Sequence, residues 1–573
     1  MQVRRSKGEV RMNTDFMYVD GAPVAINGEK NMLQVIRKTG VKLPTFCYHT
    51  DLSIYGACRM CMVEDEKGNL YTACSTPPKA GMSIKTNTAR LRKYRKNILE
   101  LILANHCRDC TTCSNNRSCK LQDLAVRFNI EGVRFPNRAE TNRVTNSSAC
   151  ITFDSGKCIL CGDCVRTCHE VQNVGAIDFA FRGSKMVIST AFGKPLSETD
   201  CVGCGQCAAA CPTGAIVTKS DIDRVWAAIE DRNTKTVVQV APAVRVALGN
   251  MAGVEEGKDC SPLIFSALRK MGFDEVYDTS FGADVTVIEE SREFLERLEE
   301  GKNLPIITSC CPGWIQYCEK RHPELLDNVS SCRSPMQMFA SVIKEERREE
   351  GKKLFSVAIM PCTAKKFEAE RPEFRSRDGE PNVDAIITTE ELSHMFREAG
   401  IMLGDIDGEP VDHPYDYSSG AGVIFGVTGG VTEAVLRNVV SDKSRSALMK
   451  IANVGERGNE GIKTFEVTTD DGVTLRLGVA SGLMNAEKLI KRLEGGEKFD
   501  IIEIMACPGG CVAGGGQPFV HADVRKERGA GLYESDRMMS IRHSEQNPSV
   551  TALYERLLNG REHELLHVKY RKK

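Results

Sequence analysis

No stretch of this chain approaches the roughly 18 unbroken apolar residues that a membrane span needs, so no membrane span is expected. A surplus of one charge is missing too. The 76 Lys and Arg residues face 77 Asp and Glu, a formal balance of -1, with 41% hydrophobic residues. That excludes a polycation built to coat nucleic acid and a disordered tail protein. No export signal is expected: Arg4, Arg5 and Lys7 lead into polar Asn13, Thr14 and Asp15, not into an apolar segment. No convincing G-x-G-x-x-G sits on a strand–helix turn, so any dinucleotide would bind a partner subunit. No low-complexity segment occurs either.

What is present in quantity is cysteine. Of 25 in the 573 residues, 17 lie between Cys47 and Cys211. A disulfide scaffold would be short, secreted and denser in cysteine. Reduced thiols binding metal in the cytoplasm is the better reading. The length is too great for one core, and at roughly 100–200 residues per domain three to five domains are expected.

Residues 15–85 read as short strands around one helix. Asp20-Gly21 splits two apolar runs as a hairpin turn does, and Leu33, Ile36 and Gly40 fall at helical spacing with a glycine stop. Residues 86–105 read as a helix, basic in its first half and apolar in its second; residues 120–150 carry only a weak pattern. From about residue 225, the apolar runs TVVQVA, LPIITSC, FSVAIM and DAIITT alternate with amphipathic helices, the mark of an α/β core.

The strongest signal is an internal repeat. Cys158, Cys161, Cys164 and Cys168 have the same spacing as Cys201, Cys204, Cys207 and Cys211, the last followed by Pro212. This is the bacterial ferredoxin spacing, in which three close thiolates hold a 4Fe-4S cube and the fourth serves the other cube. One cube is assigned to Cys158, Cys161, Cys164 and Cys211, its neighbour to Cys201, Cys204, Cys207 and Cys168. Zinc also accepts four thiolates, but rarely three at two-residue gaps.

Cys47, Cys58, Cys61 and Cys74 are similar to a plant-type 2Fe-2S set with a lengthened first gap. Gly56 allows a tight turn beside them, and a structural zinc site is the alternative. His106, Cys110, Cys113 and Cys119 offer one imidazole and three thiols, which alone fit zinc as well as iron. Between other clusters an electron relay is favoured, and imidazole in place of thiolate should raise the potential.

Three further segments each follow an apolar strand and run into Gly- or Pro-rich sequence: Thr308–Trp314, Met360–Glu368 and Met505–Pro518. Strand ends are where α/β domains build their sites. Together they bring Cys310, Cys311, Cys362, Cys507 and Cys511, one thiol more than a cube needs. A spare thiol beside a cluster is a candidate acid or base, or else a small buried hydrophobe. Upstream, Glu290, Glu293 and Arg297 share one helix face while Phe294 and Leu298 lie on another. Surface ion pairing is the default for such a row; a buried row would suit proton relay, and periodicity does not decide between them.

TSCCPGW, MPCTAKKFE and EIMACPGGCVAGGGQP resemble the three active-site signatures of the iron-only (FeFe) hydrogenases, and the accessory modules follow that family's order over nearly the whole chain. The resemblance implies a multidomain α+β and α/β protein. Its first expected parts are a β-grasp 2Fe-2S ferredoxin-like domain at 1–89 and a small helical 4Fe-4S domain, with one histidine and three cysteine ligands, at 90–145. A two-4Fe-4S ferredoxin-like domain at 146–222 and a large α/β catalytic domain at 223–573 follow. It implies reversible oxidation of dihydrogen at an H-cluster: a 4Fe-4S cube held by Cys311, Cys362, Cys507 and Cys511, with Cys511 bridging to a diiron subcluster carrying carbon monoxide, cyanide and an azadithiolate. By the same resemblance Cys310 takes the proton from the bridge amine and hands it toward Glu293, Ser330 and Glu290, with Arg297 near the exit. Lys365 hydrogen-bonds a cyanide, and Met360 and Met505 pack round the diiron unit.

A non-catalytic iron–sulfur assembly scaffold of this fold loses active-site cysteines, and a hydrogen sensor replaces the thiol at Cys310; neither departure occurs here. YGACRMCMVE and the run from Cys164 to Gly183 look closer to NADH-linked members, which implies flavin-bearing, NAD(P)-binding and iron–sulfur partner subunits, in some cases electron-bifurcating. A stand-alone ferredoxin-dependent enzyme is the alternative, and maturation proteins are implied in either case. The basic helix with Arg90, Arg92, Lys93, Arg95 and Lys96 is a candidate ferredoxin dock, though a solvated face is the plainer reading. Cys107, Cys150, Cys260, Cys318 and Cys332 fall outside every ligand set.

Overall fold

The computed structural model describes residues 15–138, 143–348, 353–444, 446, 451–452, 457, 461–469, 472–518 and 523–572. The basic residues Arg4, Arg5 and Lys7 lie outside them. Among the described residues no helix is long and apolar enough to cross a membrane.

The first module is a five-stranded sheet in the order β2-β1-β5-β3-β4, formed by β1 (Phe16–Val19), β2 (Ala22–Ala25), β3 (Met62–Asp65), β4 (Leu70–Thr72) and β5 (Ser83–Lys85). Asp20 and Gly21 turn between β1 and β2 with φ of 52° and 88°, the left-handed pair that matches strand twist in a two-residue hairpin. The helix Met32–Arg37 buries Met32, Leu33, Val35 and Ile36 against this sheet.

The helix Ala89–Ala104 starts at Thr88, whose side chain accepts the Leu91 amide. Its basic half is mostly the solvated face expected: Arg90, Arg92, Lys93 and Lys96 are exposed, with Arg90 tied to Glu64. Arg95 departs from it, buried and donating to the carbonyls of Met60, Met62 and Thr86, so it clamps the loop that carries Cys58 and Cys61. The weakly patterned stretch after it contains a short helix, Lys120–Arg127, with Leu121 and Leu124 inward.

The cysteine repeat is visible as structure. Left-handed Gly162 and Gly205 each open one helical turn, Asp163–Arg166 and Gln206–Ala209. Around these lie β6 (Thr145–Ser147), β7 (Ile151–Asp154) and β10 (Ile216–Thr218) in the order β10-β7-β6, and the hairpin β8 (Asp178–Ala180) with β9 (Val187–Ser189).

The large domain holds two four-stranded sheets. One, in the order β12-β11-β14-β15, is parallel throughout: β11 (Thr234–Val240), β12 (Glu275–Asp278), β14 (Lys353–Met360) and β15 (Ala385–Thr388). The other, in the order β13-β18-β17-β16, comprises β13 (Ile306–Ile307), β16 (Ile462–Thr468), β17 (Thr474–Ser481) and β18 (Ile501–Met505), with only β16 antiparallel. The strands of the first sheet are near-continuous apolar runs, as strands covered on both faces are. The 22-residue helix Thr279–Glu300 packs against the helices Pro335–Glu346 and Gly430–Val439.

Candidate active site and cluster-binding sites

Three loops at the carboxyl ends of β13, β14 and β18 meet, two from one sheet and one from the other. Parallel pairing puts the ends of β13 and β18 on one side of their sheet, and the loop after β14 of the other sheet packs against them. Cys310, Cys311, Cys362, Cys507 and Cys511 are thereby brought close enough for each thiol's charge to act on its neighbours. All lie deep in the protein, yet Cys310, Cys311, Cys362 and Cys511 retain accessible surface, so they face an internal space.

The backbone is shaped for this approach. Gly510 has φ of 92°, and a Cβ there would stand 2.6 Å from the Thr428 amide nitrogen. Ala506 donates its amide to Cys311 Sγ at 3.4 Å, as amides do toward cluster-bound thiolates. Burial raises the pKa of each of these thiols, and of Cys507 by a wide margin. Four such thiols become thiolates together only around a multivalent cationic centre, which is the condition a 4Fe-4S cube meets. The donor set fits the group.

One cation reaches this space. Lys365 Nζ is buried and donates to Glu368 at 2.7 Å and to the Cys310 carbonyl at 3.3 Å. Burial alone would lower its pKa, but the Glu368 carboxylate outweighs burial and holds it above the ordinary lysine value. Met360 and Met505 are both buried, and Met505 packs with Cys310 and Cys311.

Cys310 stands apart electrostatically. Burial first, then the charges of Glu290, Cys311, Glu503 and Cys511, hold it well above the usual thiol range. Glu290 is 2% exposed, and neither carboxylate oxygen has a hydrogen-bond partner; Ser330 and the Ser309 amide face it without closing a bond. Burial, then the charge of Glu293, pushes its pKa up to about 8. Glu293 is bonded instead to Ser330 Oγ at 3.0 Å, to the Ser331 amide, and to Arg297 at 2.6 Å. Surface ion pairing thus describes only the outer end of the row. The order Glu293, Ser330, Glu290 also needs correcting: Glu290 adjoins Cys310, Ser330 lies between the two carboxylates, and Glu293 is the outer member. Arg297 donates on to the carbonyls of Asn303, Asp327, Asn328 and Val329.

The accessory cysteines also gather. Cys158, Cys161, Cys164 and Cys211 line one narrow apolar cavity, and Cys168, Cys201 and Cys207 line the next, with Cys204 in charge contact with all three. Leu160 and Gly203 amides point at Cys158 and Cys201. Cys47 lies against Cys58, and Cys61 against Cys74. Cys110, Cys113 and Cys119 interact with one another, and His106 has a buried Nε2 with no partner, an orphaned atom that a metal would satisfy.

Between modules the contacts are specific. Phe46, Cys47, Met60, Leu99, Cys119, Leu121 and Cys161 form one apolar cluster, so cysteines of three different sets meet there. Further on, Gln206 donates to the Ala513 carbonyl at 2.9 Å, Thr363 to Gly203 at 2.6 Å and Gln172 to Ala506 at 2.9 Å. A Cβ on Gly515 would lie 2.4 Å from the Cys204 carbonyl oxygen.

Several of these residues were not singled out from the sequence. Glu368 stands three residues after Lys365 on a helix, a spacing that signals an ion pair. Glu503 is a lone acid in an apolar strand; it accepts the amides of Gly429 and Thr432 and acts on Cys310. Gln172, Gln206 and Thr363 bridge modules, and no local pattern reveals such a role.

Successive parts of the chain match known families. Residues 234–515 match the family described as iron only hydrogenase large subunit, C-terminal domain, and residues 522–573 the iron hydrogenase small subunit. Residues 16–89 match a 2Fe-2S iron-sulfur cluster binding domain, 95–134 the NADH-ubiquinone oxidoreductase-G iron-sulfur binding region, and 157–215 a 4Fe-4S dicluster domain. The NADP-reducing hydrogenase subunit HndD of Solidesulfovibrio fructosivorans is 40% identical across 97% of this chain and 98% of its own length. Iron hydrogenase 1 of Clostridium pasteurianum is 35% identical across 97% and 99%. A solved structure of the FeFe hydrogenase HydA1 of Chlamydomonas reinhardtii superposes with a TM-score of 0.54 at 38% identity, covering 62% of this chain and 99% of that one.

Proposed function

Since this chain belongs to the iron-only hydrogenase family, we propose how its residues divide the work of a hydrogenase. It is an oxidoreductase acting on dihydrogen, with iron–sulfur modules that relay electrons. The observation that supports the finer reading most is the meeting of five thiols from three strand-end loops, with one of them, Cys310, facing the buried carboxyl of Glu290.

In this reading Cys311, Cys362, Cys507 and Cys511 would hold the H-cluster, with Cys511 the thiol that would serve both its cube and its diiron part. When bound, the H-cluster supplies the open iron site, the electron reservoir and the basic bridging amine that together split dihydrogen. Lys365 offers a charged donor to a cyanide, and its pairing with Glu368 keeps that donor in place. Met360 and Met505 shape the wall with soft side chains. Cys310 keeps its proton in this dry setting and exchanges it with Glu290. Glu290, neutral near pH 7, passes the proton by way of Ser330 to Glu293, from which water is reached. Arg297 does not carry it: a guanidinium offers donors and no acceptor, so Arg297 fixes Glu293 in position.

The accessory sets are one 2Fe-2S site at Cys47, Cys58, Cys61 and Cys74 and three 4Fe-4S sites: His106 with Cys110, Cys113 and Cys119; Cys158, Cys161, Cys164 and Cys211; and Cys201, Cys204, Cys207 and Cys168. The cluster of Cys47, Cys119 and Cys161 makes this relay branched, with two N-terminal sites feeding the first ferredoxin cube. Two N-terminal sites suit a subunit of an NAD(P)-linked complex, with flavin and nucleotide on cytoplasmic partners, better than a single-carrier enzyme. The relative named as NADP-reducing, matched end to end, supports this reading.

The test is direct. Matured under anaerobic conditions, Cys310→Ser should keep its infrared carbonyl and cyanide bands and lose hydrogen evolution, and Cys511→Ala should lose those bands but keep the accessory cluster signals. Near-normal evolution in Cys310→Ser removes its assigned role. If the purified chain alone reduces NADP with dihydrogen, the partner-subunit reading falls.

A further inference from the structure

The outer end of the proton row is not bare. Ser331 donates its amide to both carboxylate oxygens of Glu293, and its hydroxyl meets His567 Nδ1 at 2.8 Å. His567 comes from the extreme C-terminal segment, more than 230 residues away, and is stitched to this spot by backbone pairing with Cys332. A ring nitrogen of His567, a carboxylate oxygen of Glu293 and the Cys332 sulfur all lie within 4.8 Å of one another, a gap that one bridging water spans. The other edge of the imidazole meets a second carboxylate: Nε2 lies 3.0 Å from Oε2 of buried Glu289, which half-exposed Arg292 reaches from the surface, and the exposed ring of His563 stands 4.7 Å from the His567 ring.

These three side chains have the ligand types of a zinc site, but their atoms are already engaged. Both nitrogens of His567 have partners, and Glu293 is held by Arg297, Ser330 and Ser331. What the arrangement offers is an imidazole with one nitrogen toward Glu293 and Ser331 and the other toward Glu289, with exposed His563 and half-exposed Arg292 beside it.

We infer that His567 is the outer proton station of this hydrogenase, exchanging protons between Glu293 and solvent through its two ring nitrogens. The inference rests on the relay reading given above. In the direction of dihydrogen oxidation, a protonated Glu293 releases its proton across the Ser331 hydroxyl or one water to Nδ1, and the ring releases the Nε2 proton toward Glu289 and water. One proton enters, one leaves, and no electron moves. An imidazole can accept a proton at one nitrogen and release one from the other, whereas the neighbouring Arg297 guanidinium carries donors only. The groups that set its behaviour are Glu289, with Arg292 and Tyr554 on that carboxylate, Glu293 and Cys332 on the inner side, His563 beside it, and Arg333, which donates to its carbonyl. Glu289 is held below the usual carboxylate range: burial would raise it, but His567, Tyr554 and Arg292 outweigh burial. It therefore stays an anion that orients the His567 ring and favours its transiently protonated form.

The experiment uses the full matured chain with an artificial electron dye. His567→Ala should lower hydrogen evolution by about ten-fold, change the pH profile, and recover in part when imidazole is added, with dye KM and cluster spectra unmoved. His567→Gln preserves the shape and hydrogen bonding but carries no proton, so it should show the same loss and the same altered profile even if the alanine variant folds poorly. Wild-type turnover with an unchanged pH profile in His567→Gln overturns the inference. Glu293→Gln run in parallel separates the two readings. If it is inactive while His567→Gln is unaffected, only the outer station fails; if Glu293→Gln itself runs at the wild-type rate, the relay reading fails.

Discussion

Glu290 and Glu293 sit three residues apart on one helix, yet one is sealed and unpartnered while the other is held by Arg297, Ser330 and Ser331. That difference turns a row of acids into a directed path. It also has a thermodynamic consequence. Glu290 is raised from 4.5 to about 8 in the fold, so between those values the unfolded carboxyl is ionised while the folded one keeps its proton. Its contribution to stability is full below about pH 4.5 and is lost as pH rises toward 8. Glu290→Gln has no such dependence. Its melting temperature relative to the parent should therefore climb from pH 5 to pH 8 while turnover collapses by about 100-fold or more. Parallel pH–stability curves would show that Glu290 is not buried as described. At the same scale, Cys260 and Cys318 are buried thiols donating to the carbonyls of Lys258 and His322. A serine hydroxyl can make those bonds, so Cys260→Ser and Cys318→Ser should retain iron content and activity.

At the scale of elements, the Gly-rich loop after β18 and the cysteine loop around Cys204 touch backbone to backbone. Gly515→Ala would place a methyl against the Cys204 carbonyl, with no flexible side chain to yield. The expected outcome is a local separation of two centres. Hydrogen–deuterium exchange, which needs only the active site, should persist, while dihydrogen-driven reduction of the accessory clusters slows, as followed by electron paramagnetic resonance. Fast reduction in the variant would mean that electrons take another route. Arg95→Leu should erase or distort the 2Fe-2S signal, because three buried carbonyls lose their donor at once; an unaltered signal would contradict the clamp.

Much of this was legible beforehand, for physical reasons. The Asp20-Gly21 hairpin, the helix after Thr88, the cysteine repeat and the alternating strands of the large domain are written in local chemistry: turn residues, caps and periodicity. The chemistry-bearing loops were legible because thiols at fixed gaps have few uses. What was hidden was depth and contact across the chain. A helical wheel gives the angle between Glu290 and Glu293 but not which one is sealed. Nothing local marks Arg95 as buried among a basic run. His567 belongs to a segment with no ligand pattern and acquires meaning only by pairing with Cys332.

The whole molecule reads as one conduit with two kinds of traffic. On the proposed reading protons leave along the helix Thr279–Glu300 toward the C-terminal segment, and electrons leave through modules joined by Gln172, Gln206 and Thr363 and by the cluster of Phe46, Cys119 and Cys161. On that reading the two routes start at adjacent cysteines, Cys310 and Cys311, so removing Cys310 should leave the electron path in place. The most direct measurement compares the matured chain with its Cys310→Ser variant for dihydrogen turnover at equal infrared carbonyl and cyanide intensity. The account predicts turnover in the parent and its loss in the variant, with matching bands in both. Matured protein that contains iron but shows no such bands, or a variant as active as its parent, would contradict it.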